Sequence, residues 1–358
     1  KGAARPMSRQ TAPVITALVI WISMNALPLL AQTAAQVDRL DPALDAIVPV
    51  DAALEKVATG FQFTEGPVWS PAGFLLFTDI NAAVINRRLP SGKAVLFLGP
   101  SEFTQKDAEV AGVPGANGLT FDREGRLVIC DQGHRVISRL EKNGKITVLA
   151  DRFKGKRFNS PNDLVYKSDG ALYFTDPPYG LAKEDQDPKK EQPVNGVYRI
   201  SKGKVDLLVS DLPRPNGIAF SPDEKYMFID NSEPKKLFMR YEVKPDGTLG
   251  RGTVFQDVTP SPQPGLPDGL KVDQQGNVYG TGPGGVWIFS PEGRHLGTIR
   301  TPEVAANCAW GEKDAHTLYI TATTSVYRIR LKIAGMRGPK PARMPASTLT
   351  VRAADLQK

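Results

Sequence analysis

Six copies of one short pattern run along most of the chain, and nothing else in the sequence restricts its fold so tightly. Five read EGPVWSPAGFLLFTD from Glu65, NGLTFDREGRLVICD from Asn117, NDLVYKSDGALYFTD from Asn162, NGIAFSPDEKYMFID from Asn216 and DGLKVDQQGNVYGTG from Asp268. A degenerate sixth, ANCAWGEKDAHTLYIT, begins at Ala306. Each is an apolar run, a turn and a second apolar run. Eight residues after the opening residue stand Gly73, Gly125, Gly170 and Gly276, where a hairpin turn needs positive φ; the fourth copy has Glu224. Fourteen residues after it stand Asp79, Asp131, Asp176 and Asp230, with Gly282 in the fifth copy.

The copies start 52, 45, 54, 52 and 38 residues apart. Each interval holds two further strand-like runs, such as VISRLE and ITVLA after the second copy. Four antiparallel strands per unit predict an all-β fold, a six-bladed β-propeller over residues 53–332. A β-sandwich would leave the periodicity unexplained. After the sixth copy only SVYRIRLKI offers a further clear strand. ALEKVATGF, ahead of the first copy, is expected to pair into the last blade and close the ring, removing an exposed edge. Residues 37–52 read as a linker, and 333–358 as a basic, Pro-rich tail expected to pack loosely.

Residues 1–6 precede Met7, the expected start, as upstream residues or a cloning remnant. Arg9, the apolar stretch 14–30 and small residues at Ala31, Ala34 and Ala35 read as a secretory signal peptide cleaved within residues 31–36. Asn25 and Pro28 interrupt the stretch, which argues against a stable span; an uncleaved anchor is the alternative. The expected location is periplasmic or secreted. Cys130 and Cys308 fall in non-adjacent blades and are expected as buried free thiols. The net charge of +7 is scattered along the chain, which argues against nucleic-acid binding.

The first strand of a blade lies nearest the propeller axis, so Glu65, Asn117, Asn162, Asn216, Asp268 and Ala306 should face one centre. Five of the six carry side-chain oxygens. Converging oxygens with two carboxylates suit one hard divalent cation. Asn or Asp before Gly is also an ordinary turn pair, but that reading leaves Glu65 and the oxygen ring unexplained. The second-offset aspartates return to the same mouth and should hold loops through backbone N–H groups, Asp131 being the expected exception. His134 and Tyr179 should overhang this mouth. His134 reads as a proton shuttle, a substrate contact or a loop-holding residue, and Tyr179 as a pocket wall. The glycines of GTGPGG lead into a strand rather than a helix, so no dinucleotide site is expected there. His134, His295 and His316 are too dispersed for a His-rich zinc site.

The stretches EGPVW, ANGLTFDREGRLVICDQGHRVISR, NSPNDLVYKSDGALYFTDPPYG, PNGIAFSPDEK, LPDGLKVDQQGNVY, GGVWIFSPEG and NCAWG together resemble a known superfamily. It is that of gluconolactonase, regucalcin and luciferin-regenerating enzyme, in its bacterial gluconolactonase branch. The resemblance spans residues 60–330. It implies a six-bladed propeller with one axial divalent ion, Ca2+ or Zn2+; Ca2+ is expected first, and Mg2+ is a further alternative. It implies metal ligands Glu65, Asn162, Asn216 and Asp268, with Asn162 also able to contact substrate or water. It implies Asp268 as general base. Asn117, Asn162, His134 and Tyr179 are then the expected substrate-binding residues. Ser160 departs from the pattern: the regucalcin branch carries a substrate-binding arginine there.

The implied activity is metal-dependent opening of a small lactone, such as an aldonolactone. The ion would polarise the ester carbonyl and Asp268 would activate water. Tight ligation would weaken Asp268 as a base, which leaves a variant in which the ion activates the water and Asp268 orients it. Related propellers hydrolyse phosphoesters or phosphotriesters, which is one alternative. Another is a non-catalytic binding propeller with a structural ion. A metal-free strictosidine synthase-like propeller would not require the five oxygens.

Overall fold

The computed structural model describes residues 2, 33–34, 37–99 and 115–338. The chain divides after Ala31 into two units, and every described strand lies in the second, 32–358. The apolar stretch 14–30 and most of the expected cleavage region lie outside the described residues. Among the described residues no helix is long and apolar enough to cross a membrane.

Six antiparallel sheets follow one another along the chain as six blades. Their first strands are Thr64–Trp69, Ala116–Phe121, Leu164–Tyr166, Pro215–Phe220, Leu270–Val272 and Ala305–Gly311. Each first strand touches the first strand of the next blade, from blade six round to blade one, so these six strands enclose the axis. The second strands, Leu75–Asp79, Leu127–Asp131, Leu172–Asp176, Tyr226–Asn231, Val278–Gly282 and Thr317–Ala322, are almost wholly buried. Strands buried on both faces read as continuous apolar runs, which is how LLFTD, LVICD and LYFTD appear.

The turns between first and second strands explain the eighth-residue glycines. Gly73, Gly125, Gly170 and Gly276 have φ between +72° and +92°. Glu224 holds the same left-handed conformation at φ +56°. Its carboxylate accepts from Ser168 N at 2.6 Å and pairs with Lys167 Nζ at 3.1 Å, so contacts with blade three offset the strain.

Ala53–Thr59 pairs antiparallel with Ser325–Arg330 and supplies the fourth strand of blade six. Arg328 donates to Glu55 across this pairing at 2.8 Å. Residues 37–52, expected as a linker, are instead built into the ring. Val37–Arg39 adds a fifth strand to blade five, and Leu44, fully buried, joins Leu296, Ile299 and Leu331 in the core between blades five and six. Three residues of strand are too short to show a periodicity, which is why this addition was not legible. The start of the tail also docks: Ile333 is buried and Met336 N donates to Val272 O at 2.9 Å. Residues 339–358 lie outside the described residues. Cys130 and Cys308 are buried free thiols, as expected from their separate blades.

Candidate active site

The opening residue of each repeat stands where the regular ladder stops. In blades one, two, four and six the pairing of first and second strands slips there, between Glu65 and Val68, Ala116 and Leu119, Pro215 and Ile218, and Ala305 and Asn307. In blades three and five pairing begins only at Leu164 and Leu270. The glycine that follows is there for close approach between blades, not for a turn. A Cβ on Gly66 would lie 2.0 Å from Asn117 O, and one on Gly217 would lie 2.3 Å from Asp268 O. The opening carbonyls bind the neighbouring blade: Gly118 N donates to Asn162 O at 2.8 Å and Thr175 Oγ1 to Asn216 O at 2.6 Å. Backbone groups at this ring are therefore engaged between blades, which leaves the side chains for the axis.

Glu65, Asn117, Asn162 and Asn216 are at most 4% exposed, and Asp268 is partly exposed. Asp268 and Glu65 meet through their carboxyl groups although they come from blades five and one. Burial pushes Glu65 up to about 7; the Asp163 charge adds to this, against the N–H of Gly66. Burial also raises Asp268 well above the carboxylate range, reinforced by Glu65, Asp230 and Asp163. Four carboxyls thus share one low-dielectric space.

The amides beside them are arranged oxygen-first. Asn117 Oδ1 and Asn216 Oδ1 are buried with no hydrogen-bond partner among the described residues, as is Asp230 Oδ2. Lys271 sets one charge against these four carboxyls, and an unpaired buried oxygen such as Asn216 Oδ1 beside them fits a hard cation. Among the described residues no group of three or more His, Cys, Asp or Glu is placed to hold a metal. An ion here would therefore need the amide oxygens as well as the carboxylates.

Three residues around this ring escaped the sequence reading. Asn307 Nδ2 donates to Glu65 Oε2 at 3.0 Å, while its Oδ1 accepts from Cys308 N at 2.8 Å and Lys271 Nζ at 3.2 Å. Lys271 Nζ also lies 3.4 Å from Asp163 Oδ2. Asp163 and Asn307 occupy the position after the opening residue, where Gly66, Gly118, Gly217 and Gly269 stand in the other copies. A polar residue replacing that glycine was the available signal. Lys271, inside the short run LKV, had none.

Two of the second-offset aspartates hold loops, and a third holds the first strand of its own blade. Asp79 accepts from Gln62 N and Phe63 N at 3.0 and 2.9 Å, Asp176 from Asn159 N and Ser160 N, both at 2.8 Å, and Asp230 from Gly217 N at 3.0 Å. Asp131 additionally takes a side chain: its Oδ2 lies 2.7 Å from His134 Nδ1, and its Oδ1 accepts from His134 N at 2.9 Å. Tyr179 is partly buried, with the Arg214 guanidinium 5.6 Å above its ring. Burial raises the Tyr179 hydroxyl above its ordinary value. Ser160 donates to Pro177 O at 2.6 Å and accepts from Gly180 N at 2.8 Å, so it shapes the loop that carries Tyr179. A groove of about 1280 Å³ lies elsewhere, between residues 49–55 and 312–332, and carries none of the axial residues.

The SMP-30/gluconolactonase/LRE-like region family matches residues 63–324. A gluconolactonase of Zymomonas mobilis is 38% identical over 314 residues, covering 85% of this chain and 88% of that protein. The solved structure of a gluconolactonase from Xanthomonas campestris superposes with a TM-score of 0.73 at 30% identity, over 86% of this chain and 99% of the other. Regucalcin from Agrobacterium tumefaciens, a calcium-binding protein, superposes with a TM-score of 0.65 at 20% identity, over 80% and 97%, and shows the shared fold.

Proposed function

The chain belongs to the SMP-30/gluconolactonase/LRE-like family and is a lactone hydrolase of the gluconolactonase kind; from that premise we propose that it opens a small sugar lactone with a divalent cation on the propeller axis. The observation that carries this reading is the pairing of Glu65 with Asp268 beside the unpartnered amide oxygen of Asn216. Glu65, Asn162, Asn216 and Asp268 would hold the ion, and four oxygen donors with two carboxylates favour calcium. When bound, the cation would polarise the lactone carbonyl and offset charge developing on its oxygen.

Asp268 accepts the proton of the attacking water as that water's oxygen bonds to the carbonyl carbon. The ring C–O bond then breaks, and the departing oxygen takes up the proton to become a hydroxyl. Burial and the nearby Glu65, Asp230 and Asp163 raise the basicity of Asp268, which opposes the depression that ligation imposes. Asn117 and Tyr179 line the mouth for substrate hydroxyls. His134, with Nδ1 fixed by Asp131, adds a group that can bind substrate or relay a proton. The test is a panel of aldonolactones given to chelator-stripped protein. Turnover that returns with Ca2+, Zn2+ or Mg2+ is expected, and full turnover without metal would overturn the reading.

A further inference from the structure

We propose that Ser232 is a positioning residue that decides which end of the Asn216 amide faces the axis; the inference rests on the proposed axial metal site. Ser232 is 1% exposed and follows the second strand of blade four. Its Oγ lies 2.7 Å from Pro267 O and 3.1 Å from Asn216 Nδ2. A hydroxyl has one proton, and a carbonyl can only accept. The Ser232 proton is therefore committed to Pro267. Towards Asn216 the hydroxyl offers only a lone pair, and only the amide nitrogen can answer it. Asn216 Oδ1 is thereby turned to the other side, where it is buried without a partner among the described residues. A flipped amide would set two acceptors against each other at Ser232.

The same hydroxyl reaches a second ligand. Pro267 immediately precedes Asp268, so the bond to its carbonyl ties the segment carrying Asp268 in blade five to the end of a blade-four strand. One buried hydroxyl thus sets the amide of Asn216 and the backbone ahead of Asp268, as outer groups do for metal ligands generally.

The test is calorimetric titration of Ca2+ into chelator-stripped protein for the wild type, Ser232→Ala, Asn216→Asp and the double variant. Ser232→Ala should weaken Ca2+ binding by about 10- to 100-fold. A carboxylate has two equivalent oxygens and nothing to orient. In the Asn216→Asp background only the tie to Pro267 is lost, so removal of Ser232 should cost less than about 3-fold. Wild-type affinity in Ser232→Ala, or an equal loss in both backgrounds, would overturn the inference. If the alanine variant does not fold, the isosteric pair Ser232→Thr and Ser232→Val replaces it, with tight binding expected only where the hydroxyl remains. A wild type that binds no Ca2+ would overturn the underlying metal reading instead.

Discussion

Asn307 hands its amide Nδ2 to Glu65 Oε2 across 3.0 Å, joining blade six to blade one at the axis. The blade whose opening position is an alanine therefore contributes one residue later. Donors on its other side, Cys308 N and Lys271 Nζ, fix the amide so that its nitrogen must face the carboxylate. Asn307→Leu keeps the branched outline of the side chain and removes every one of these bonds. It should destabilise the protein by about 1–3 kcal/mol, read from urea unfolding. Ca2+ affinity should fall by about 10-fold in the same variant.

The Glu65 carboxyl titrates near 7 in the folded, metal-free protein, against 4.5 ordinarily. Between those values the folded state holds a proton that the unfolded state has released. Stability therefore falls as pH rises through this window. Asp268 and Asp230, also raised by burial, act in the same direction. Metal-free protein should melt at a higher temperature at about pH 5.5 than at about pH 8. Saturating Ca2+ should narrow or reverse that order, because binding requires the deprotonated carboxylates. Calorimetric melts at both pH values, with and without Ca2+, check this.

The blades were legible, and with them the meeting of Glu65 with Asp268, because a ring of similar units places equivalent residues at equivalent radii. What repetition could not show were contacts between blades. Ser232 meets Pro267 from 35 residues away, and Lys271 meets Asp163 from 108. Neither leaves a local pattern. Asn307 was hidden because the sixth copy was aligned on Ala306, while the ladder slip in that blade brings Asn307 to the carboxylates. The glycines after the opening residues were visible, but their reason was not. They resemble turn signals and are blade contacts.

That distinction predicts unequal costs for two glycine substitutions. At Gly217 an added Cβ would lie 2.3 Å from Asp268 O and 2.7 Å from Leu270 N. Gly217→Ala should cost about 3 kcal/mol through overpacking at the blade interface. At Gly73 nothing lies within 4 Å and only the φ of +86° resists a side chain. Gly73→Ala should cost about 1 kcal/mol. Urea unfolding of the two variants compares them directly.

We propose export, on the pattern of Arg9, the apolar stretch 14–30 and the small residues after it. The mature N-terminus should fall within residues 31–36. Sequencing the N-terminus of protein recovered from the periplasm or medium checks this. A cytoplasmic product that keeps Met7 would contradict it.

Asn117 and Asp268 separate substrate binding from chemistry. Asn117→Ala should raise KM and leave Ca2+ affinity nearly intact. Asp268→Ala removes both a proposed ligand and the proposed base. The most direct measurement is the aldonolactone turnover of Asp268→Ala at a Ca2+ concentration shown by titration to saturate it. The expected result is a loss of about 10³-fold or more in kcat. Wild-type turnover under those conditions would contradict the proposed mechanism.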